Sequence, residues 1–227
     1  MNTLVSSIKT LKENSDYRIS DVIFKRGCRF EHSTEAVLTK PAYENSILKK
    51  YLQLNSGAPD LVLFQKGVRE FQQENNIAIP DNDELVMHLR MGDVVEIPWF
   101  SNTQKYIQSI IGLKELVERE NIKKITIVTC FAYQAWSEDS IHLKPANVSE
   151  WNYNDEKQQI NIETMDRILS TIADNFDQTL KVQSSTSADE DVVYCSHAKY
   201  FLHDVRQPGT GGFSVLLRKL NQINHTL

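Results

Sequence analysis

Glu84-Leu85-Val86-Met87-His88-Leu89-Arg90-Met91-Gly92-Asp93 is the stretch that decides how this chain is read. Four residues, three of them apolar, run into His88-Leu89-Arg90 and then into a Gly-Asp turn, which is the pattern of a buried strand with polar groups at its exit. Side chains alternate along a strand. His88 and Arg90 therefore share one face, and Met87, Leu89 and Met91 share the other. A His and an Arg at the tip of a central strand are costly to bury without partners. Two partners fit: an anionic ligand, or a structural carboxylate such as Asp93. Gly92 permits the tight turn, and Asp93 is placed to anchor the loop or orient Arg90.

The pattern stays regular downstream. Asn102 to Asn121 reads as a helix with Tyr106, Ile110, Leu113, Leu116 and Val117 inward, and Lys124 to Thr129 as a β-branched strand. Residues 137–160 read as a polar loop. A helix over Ile162–Phe176, a strand over Leu180–Gln183, a helix over Asp189–Ala198, a strand over Lys199–Leu202 and a helix over Phe213–Ile223 complete the chain. Strands alternating with helices predict an α/β fold with a doubly wound, mostly parallel sheet. Upstream, Asp21–Phe24 fits a short strand and Tyr43–Leu54 an amphipathic helix. Asp60 caps a helix over Leu61–Asn75 that buries Leu61, Phe64, Val68 and Phe71. The expected organisation is a short, mainly helical region over residues 1–83 and a Rossmann-like domain over 84–227.

Composition narrows the function classes. With 25 Lys and Arg against 30 Asp and Glu, the net charge of −5 argues against a nucleic-acid binder, which needs a cationic face for phosphates. A local basic pocket for one small anion remains open. Cys28, Cys130 and Cys195 are scattered and form no CxxC pair, so neither a zinc site nor a disulfide framework is expected. Met1–Ser20 shows no apolar core of a signal peptide, and no apolar run is long enough to span a membrane. A cytoplasmic location is the expectation, and the sequons at Asn147 and Asn224 then read as chance matches.

Three further features bear on chemistry. Gly209-Thr210-Gly211-Gly212-Phe213-Ser214 opens the last helix, where free amides and the helix dipole favour a phosphate. It is neither a Walker loop nor a dinucleotide fingerprint, and a plain turn explains the glycines equally well. Asp189-Glu190-Asp191 opens a short helix. Ordinary capping, a hydrogen bond to a ribose or base, and a metal pair are the three readings it permits. Asp81-Asn82-Asp83 has the same spacing but precedes its strand, at the wrong end of the sheet. His197 and His203 read as packing or surface residues. Trp99, Trp136 and Trp151 fall in loops near strand ends, where they suit either a core edge or stacking on a sugar or base.

The order of these elements resembles one family. His88-Leu-Arg90-Met-Gly-Asp93 is similar to the HxRxGD motif of the fucosyltransferase superfamily with the GT-B fold, which includes the α1,2-, α1,6- and protein O-fucosyltransferases. The stretch from Asp189-Glu-Asp191 to Gly212-Phe213-Ser214 is similar to the closing segment of the α1,2 group. The likeness covers roughly residues 85–220. It implies a GT-B-like C-terminal half that binds a GDP- or UDP-linked sugar, such as fucose or rhamnose, and transfers it to a glycan acceptor. In that picture Arg90 faces the β-phosphate and His88 lies beside it. Asp191 is near the base or ribose, and Gly211, Gly212, Phe213 and Ser214 present amides and a hydroxyl to the pyrophosphate. The resemblance implies no metal and no other cofactor. Asp93, with Glu96 and Asp21, supplies candidates for the base. The sequence departs from the family in two places: the Gly-rich start of the N-terminal half is missing, and Gly-Gly-Phe-Ser replaces a tandem-serine step. The expectation is an acceptor side that is missing, reduced, or supplied by another chain or by the rest of a larger polypeptide. Two rivals stay open: a nucleotide-sugar-binding domain without transfer, and a metal-dependent transferase using Asp189 and Asp191.

Overall fold

A computed structural model of the chain describes residues 2–7, 47, 60–91, 102–129, 155–184, 188–206 and 213–226. Five strands form one sheet: β1 (Asn2–Ser7), β2 (Glu84–Leu89), β3 (Lys124–Thr129), β4 (Thr179–Ser184) and β5 (Tyr200–Leu202), in the order β1-β4-β3-β2-β5. Strands β2 to β5 are mutually parallel, and β1 joins the β4 edge antiparallel. The expected mostly parallel α/β sheet is present.

Among the described residues six helices accompany the sheet: α1 (Leu61–Glu74), α2 (Thr103–Ile111), α3 (Lys114–Arg119), α4 (Asp155–Asn175), α5 (Ala188–His197) and α6 (Phe213–Asn224). They cover both faces. Tyr106 and Ile110 of α2, Val117 of α3 and Ile168, Leu169 and Ile172 of α4 pack on Leu85, Met87, Leu89, Ile125 and Ile127. On the opposite face Phe64, Val68 and Phe71 of α1, Val192 and Val193 of α5 and Leu217 and Leu220 of α6 pack on Val86 and Val128. Central parallel strands are apolar on both sides because helices cover both sides.

Local chemistry accounts for the start of α1. The Asp60 carboxylate accepts from the amides of Val62 and Leu63 at 3.0 and 3.1 Å, capping α1 as its sequence predicts. The predicted apolar face of α1 also buries Gln65, whose amide reaches Asn224 of α6 at 3.2 Å. Three expectations change. The single helix over 102–121 is two, because the backbone turns at Gly112-Leu113 and restarts with the Val117 amide on the Leu113 carbonyl. Helix α4 starts at Asp155, so its polar first turns belong to the helix and not to the loop. The N-terminal region supplies an edge strand, β1, besides helix. The expected strand at Asp21–Phe24 lies outside the described residues, as does the Tyr43–Leu54 helix apart from Ile47, which is buried against the α1 side.

The winding positions the site. Helices α2 and α3, between β2 and β3, and α4, between β3 and β4, lie on one face. Helix α5, between β4 and β5, lies on the other face, and β5 pairs with the opposite edge of β2. The order therefore reverses between β2 and β5. In open α/β sheets the crevice beside such a reversal, at the carboxyl ends of the strands, is the usual ligand position.

Candidate active site

His88 is the last but one residue of β2 and is almost fully buried. Alternation works as expected: Met87, Leu89 and Met91 enter the α2–α4 core, and His88 faces α6. Its Nδ1 meets the Ser214 Oγ at 2.8 Å, and the Phe213 ring packs edge-on against it with centroids 5.5 Å apart. Ser214 and Phe213 form the first turn of α6, so two sequence features 126 residues apart meet at one point. Burial pushes the His88 imidazole down to a pKa of about 4. Asp204 opposes this, whereas Arg90, Arg206 and His203 add to it. His88 is thus neutral near pH 7, and its partner in the free protein is Ser214 rather than an anion.

Arg90 is the first residue beyond β2 and is partly buried. Its backbone is held from β5. The Arg90 amide donates to Asp204 Oδ2 at 2.9 Å, and Arg206 Nη2 donates to the Arg90 carbonyl at 2.7 Å. Asp204 and Arg206 also bind each other as a fork, Nε to Oδ1 at 3.0 Å and Nη2 to Oδ2 at 2.7 Å. The Arg206 amide completes the set on Asp204 Oδ1 at 3.0 Å. Both side chains are buried to within 1% of full. Two paired charges in such a place need full hydrogen bonding to offset desolvation, and this carboxylate has four donors. Tyr106 lies under the Arg206 guanidinium, 5.5 Å from ring centroid to Cζ, and its hydroxyl donates to the His88 carbonyl at 3.0 Å. Burial, with Asp204 nearby, raises the Tyr106 pKa far above its ordinary value and keeps it a donor.

Sequence reading missed Asp204 and Arg206. The signal was present: an Asp-x-Arg one residue beyond an apolar strand, as His-x-Arg straddles the end of β2. Asp93 is expected to anchor the loop or orient Arg90, and Asp204 holds the Arg90 backbone amide. Asp93 itself, with Gly92, Gly211, Gly212, Glu96 and Asp21, lies outside the described residues, as do Trp99, Trp136 and Trp151.

Asp191 sits in the first turn of α5, on the sheet face that His88 shares, and is partly buried. Asp189 is buried beside it. Helix α5 follows the carboxyl end of β4, where Gln183 is fully buried with neither amide atom hydrogen-bonded. Gln183 shares its face with Lys181, which reaches Tyr194 of α5 at 2.9 Å, and lies in the cross-strand row His88–Val128–Gln183. The amide is thus a second polar group on the α5–α6 side. No family model, curated protein or solved structure matches this chain.

The remaining candidates fall where the sequence put them. Asp81 lies at the amino end of the sheet and pairs with Lys124. His197 bonds the Val193 carbonyl at 2.7 Å and is half-buried. His203, at the exit of β5, is half-buried and its pKa is lowered, first by burial and then by Arg218. Cys195 is buried, which raises its thiol pKa. Among the described residues no cluster of three His, Cys, Asp or Glu side chains is arranged for a metal. No helix there is long and apolar enough to cross a membrane.

Proposed function

We propose that this chain binds a nucleoside-diphosphate sugar at the crevice between β2 and β5 and transfers the sugar, a 6-deoxyhexose such as fucose or rhamnose, to a glycan acceptor. The observation that carries the reading is the 2.8 Å contact between His88 and Ser214. It brings the strand-end motif and the helix-opening motif to one point at the reversal of the sheet. Arg90 stands at the strand exit there, and the N-terminus of α6 adds a dipole that favours an anion.

In the transfer, an acceptor hydroxyl oxygen bonds the anomeric carbon as the bond to the β-phosphate oxygen breaks. The electron pair leaves on the diphosphate, and the acceptor proton passes to a base. Negative charge grows on the departing phosphate, and a fixed guanidinium stabilises it more than it stabilises the bound donor. Arg90 takes that role. His88, neutral and packed by Phe213, shapes the pocket without adding charge. Asp204 is engaged by Arg206 and the Arg90 amide, and Asp93, Glu96 and Asp21 stay the candidates for the base.

A panel of GDP, UDP, TDP and CMP, each with and without Mn²⁺, tests donor binding. The matching diphosphate should stabilise the fold by about 2.7 kcal/mol at a hundredfold excess over Kd. No rise in Tm with any of them at millimolar concentration would refute the reading. With the donor known, Arg90→Ala should lower turnover about a hundred- to thousandfold while the chain stays folded. Arg90→Lys should recover only part, since a point charge lacks the guanidinium fork. Turnover should survive EDTA; loss on EDTA and recovery with Mn²⁺ would favour the Asp189–Asp191 metal reading. Donor binding without turnover in the full chain would leave a binding domain.

A further inference from the structure

Strands β2 and β5 pair over only three residues, Leu85–Met87 with Tyr200–Leu202. Counting on from Met87 and Leu202, Arg90 falls opposite Val205, between Asp204 and Arg206. The backbone ladder has ended there, yet both backbone groups of Arg90 are satisfied, its amide by Asp204 and its carbonyl by Arg206. Side chains continue the sheet where the strands must part. Parting strands ordinarily leave the exit residue free to move with its loop, and a charge that moves is poorly placed to stabilise another.

We infer that Asp204 and Arg206 are positioning residues: their buried ion pair clamps the Arg90 backbone across the β2/β5 crevice and so aims its guanidinium at the diphosphate of the donor. The inference rests on the donor-binding reading above. Arg206 suits this role because its planar fork reaches Asp204 and the Arg90 carbonyl together, with Nη2 at 2.7 Å from each. A lysine in its place keeps the charge balance with Asp204 but cannot hold both acceptors in that geometry. Tyr106 braces the same corner from beneath, on the neighbouring His88 carbonyl.

The test uses the full chain with inorganic pyrophosphate and GDP as probes. Binding is measured by calorimetry for the wild type, Arg206→Lys, Arg90→Ala and the double variant, with Tm for each. Amide exchange of Arg90 is followed by NMR without ligand in the wild type and in Arg206→Lys. The clamp predicts that Arg206→Lys speeds exchange at the Arg90 amide. It also predicts binding weaker by about tenfold when Arg90 is present and by less than about twofold when it is alanine, the non-additivity of coupled neighbours. Equal weakening in both backgrounds, or none in either, would overturn the positioning role while leaving donor binding standing. An Arg90 amide that exchanges equally fast in both proteins would overturn the clamp itself. A wild type that binds neither these probes nor UDP, TDP or CMP would overturn the donor reading, and the aiming role with it.

Discussion

The two ends of the parallel sheet both bury polar groups, and they use them differently. At the amino end Glu84 is buried and receives the Thr126 hydroxyl, the Tyr194 hydroxyl at 2.6 Å and the Asp81 amide at 3.2 Å. Lys181 closes the group by donating to Tyr194 at 2.9 Å. This network satisfies itself and ties α5 to three strands. At the carboxyl end the Asp204–Arg206 pair is spent on the backbone of Arg90. The side chains of β2–β5 that carry buried, unpartnered polar atoms, Thr129 and Gln183, also lie at that end. Native proteins rarely leave such groups unpaired, because each costs about 1–3 kcal/mol. The contrast separates a polar cluster that satisfies itself from an end of the sheet where Thr129 and Gln183 keep polar atoms without partners.

The contrast breaks first at Asp204. Asp204→Ala strands a buried guanidinium and should cost about 3–5 kcal/mol in denaturant unfolding. A loss below about 1 kcal/mol would mean that water reaches Arg206 and that the carboxyl end is not rigidly closed at this corner.

Acid is the second probe. The His88 pKa is about 4 in the fold against 6.5 for an ordinary histidine, set first by burial and modified by Asp204, Arg90, Arg206 and His203. Because the folded value is the lower one, the unfolded chain binds the extra proton. The contribution is complete above pH 6.5 and is lost as pH falls toward 4, by about 3 kcal/mol in all. His88→Gln should flatten that part of the stability profile. An unchanged slope would place the titrating group elsewhere.

At the amino end, Tyr194→Phe removes the donor to Glu84 and the acceptor for Lys181. It should cost roughly 1–2 kcal/mol of stability and leave GDP or pyrophosphate affinity unchanged. A change in affinity would erase the division between the two ends.

The smallest expected effect sharpens it most. Gln183→Leu replaces an unpartnered buried amide with an apolar group of similar size, so the free protein should gain roughly 1 kcal/mol. If the amide serves the ligand, nucleoside-diphosphate affinity should fall in the same variant, the usual opposition of stability and function. A stabilised variant with unchanged affinity would take Gln183 out of the site.

Much of this was legible in the chain. Hydrophobic periodicity and side-chain capping act over a few residues, so Lys124–Thr129, Glu84–Leu89 and the Asp60-capped helix α1 could be read locally. Alternation alone put His88 and Arg90 on one face. The Gly112-Leu113 break and the polar start of α4 were missed because neither interrupts the apolar pattern that signals a helix. Strand β1 was missed because Asn2–Ser7 is short and polar, and its strand character comes from pairing with Thr179–Ser184. The strand order, and with it the reversal between β2 and β5, was also out of reach. So were the partners of His88 and Arg90, because Ser214, Asp204 and Arg206 lie more than 110 residues away along the chain. The sequence by itself determined the apolar middles of β2, β3 and most helices and the polar end of β2, since those depend on neighbours in the chain. Only the tertiary structure decided which polar groups spend their charge on one another, because burial and pairing are properties of neighbours in space.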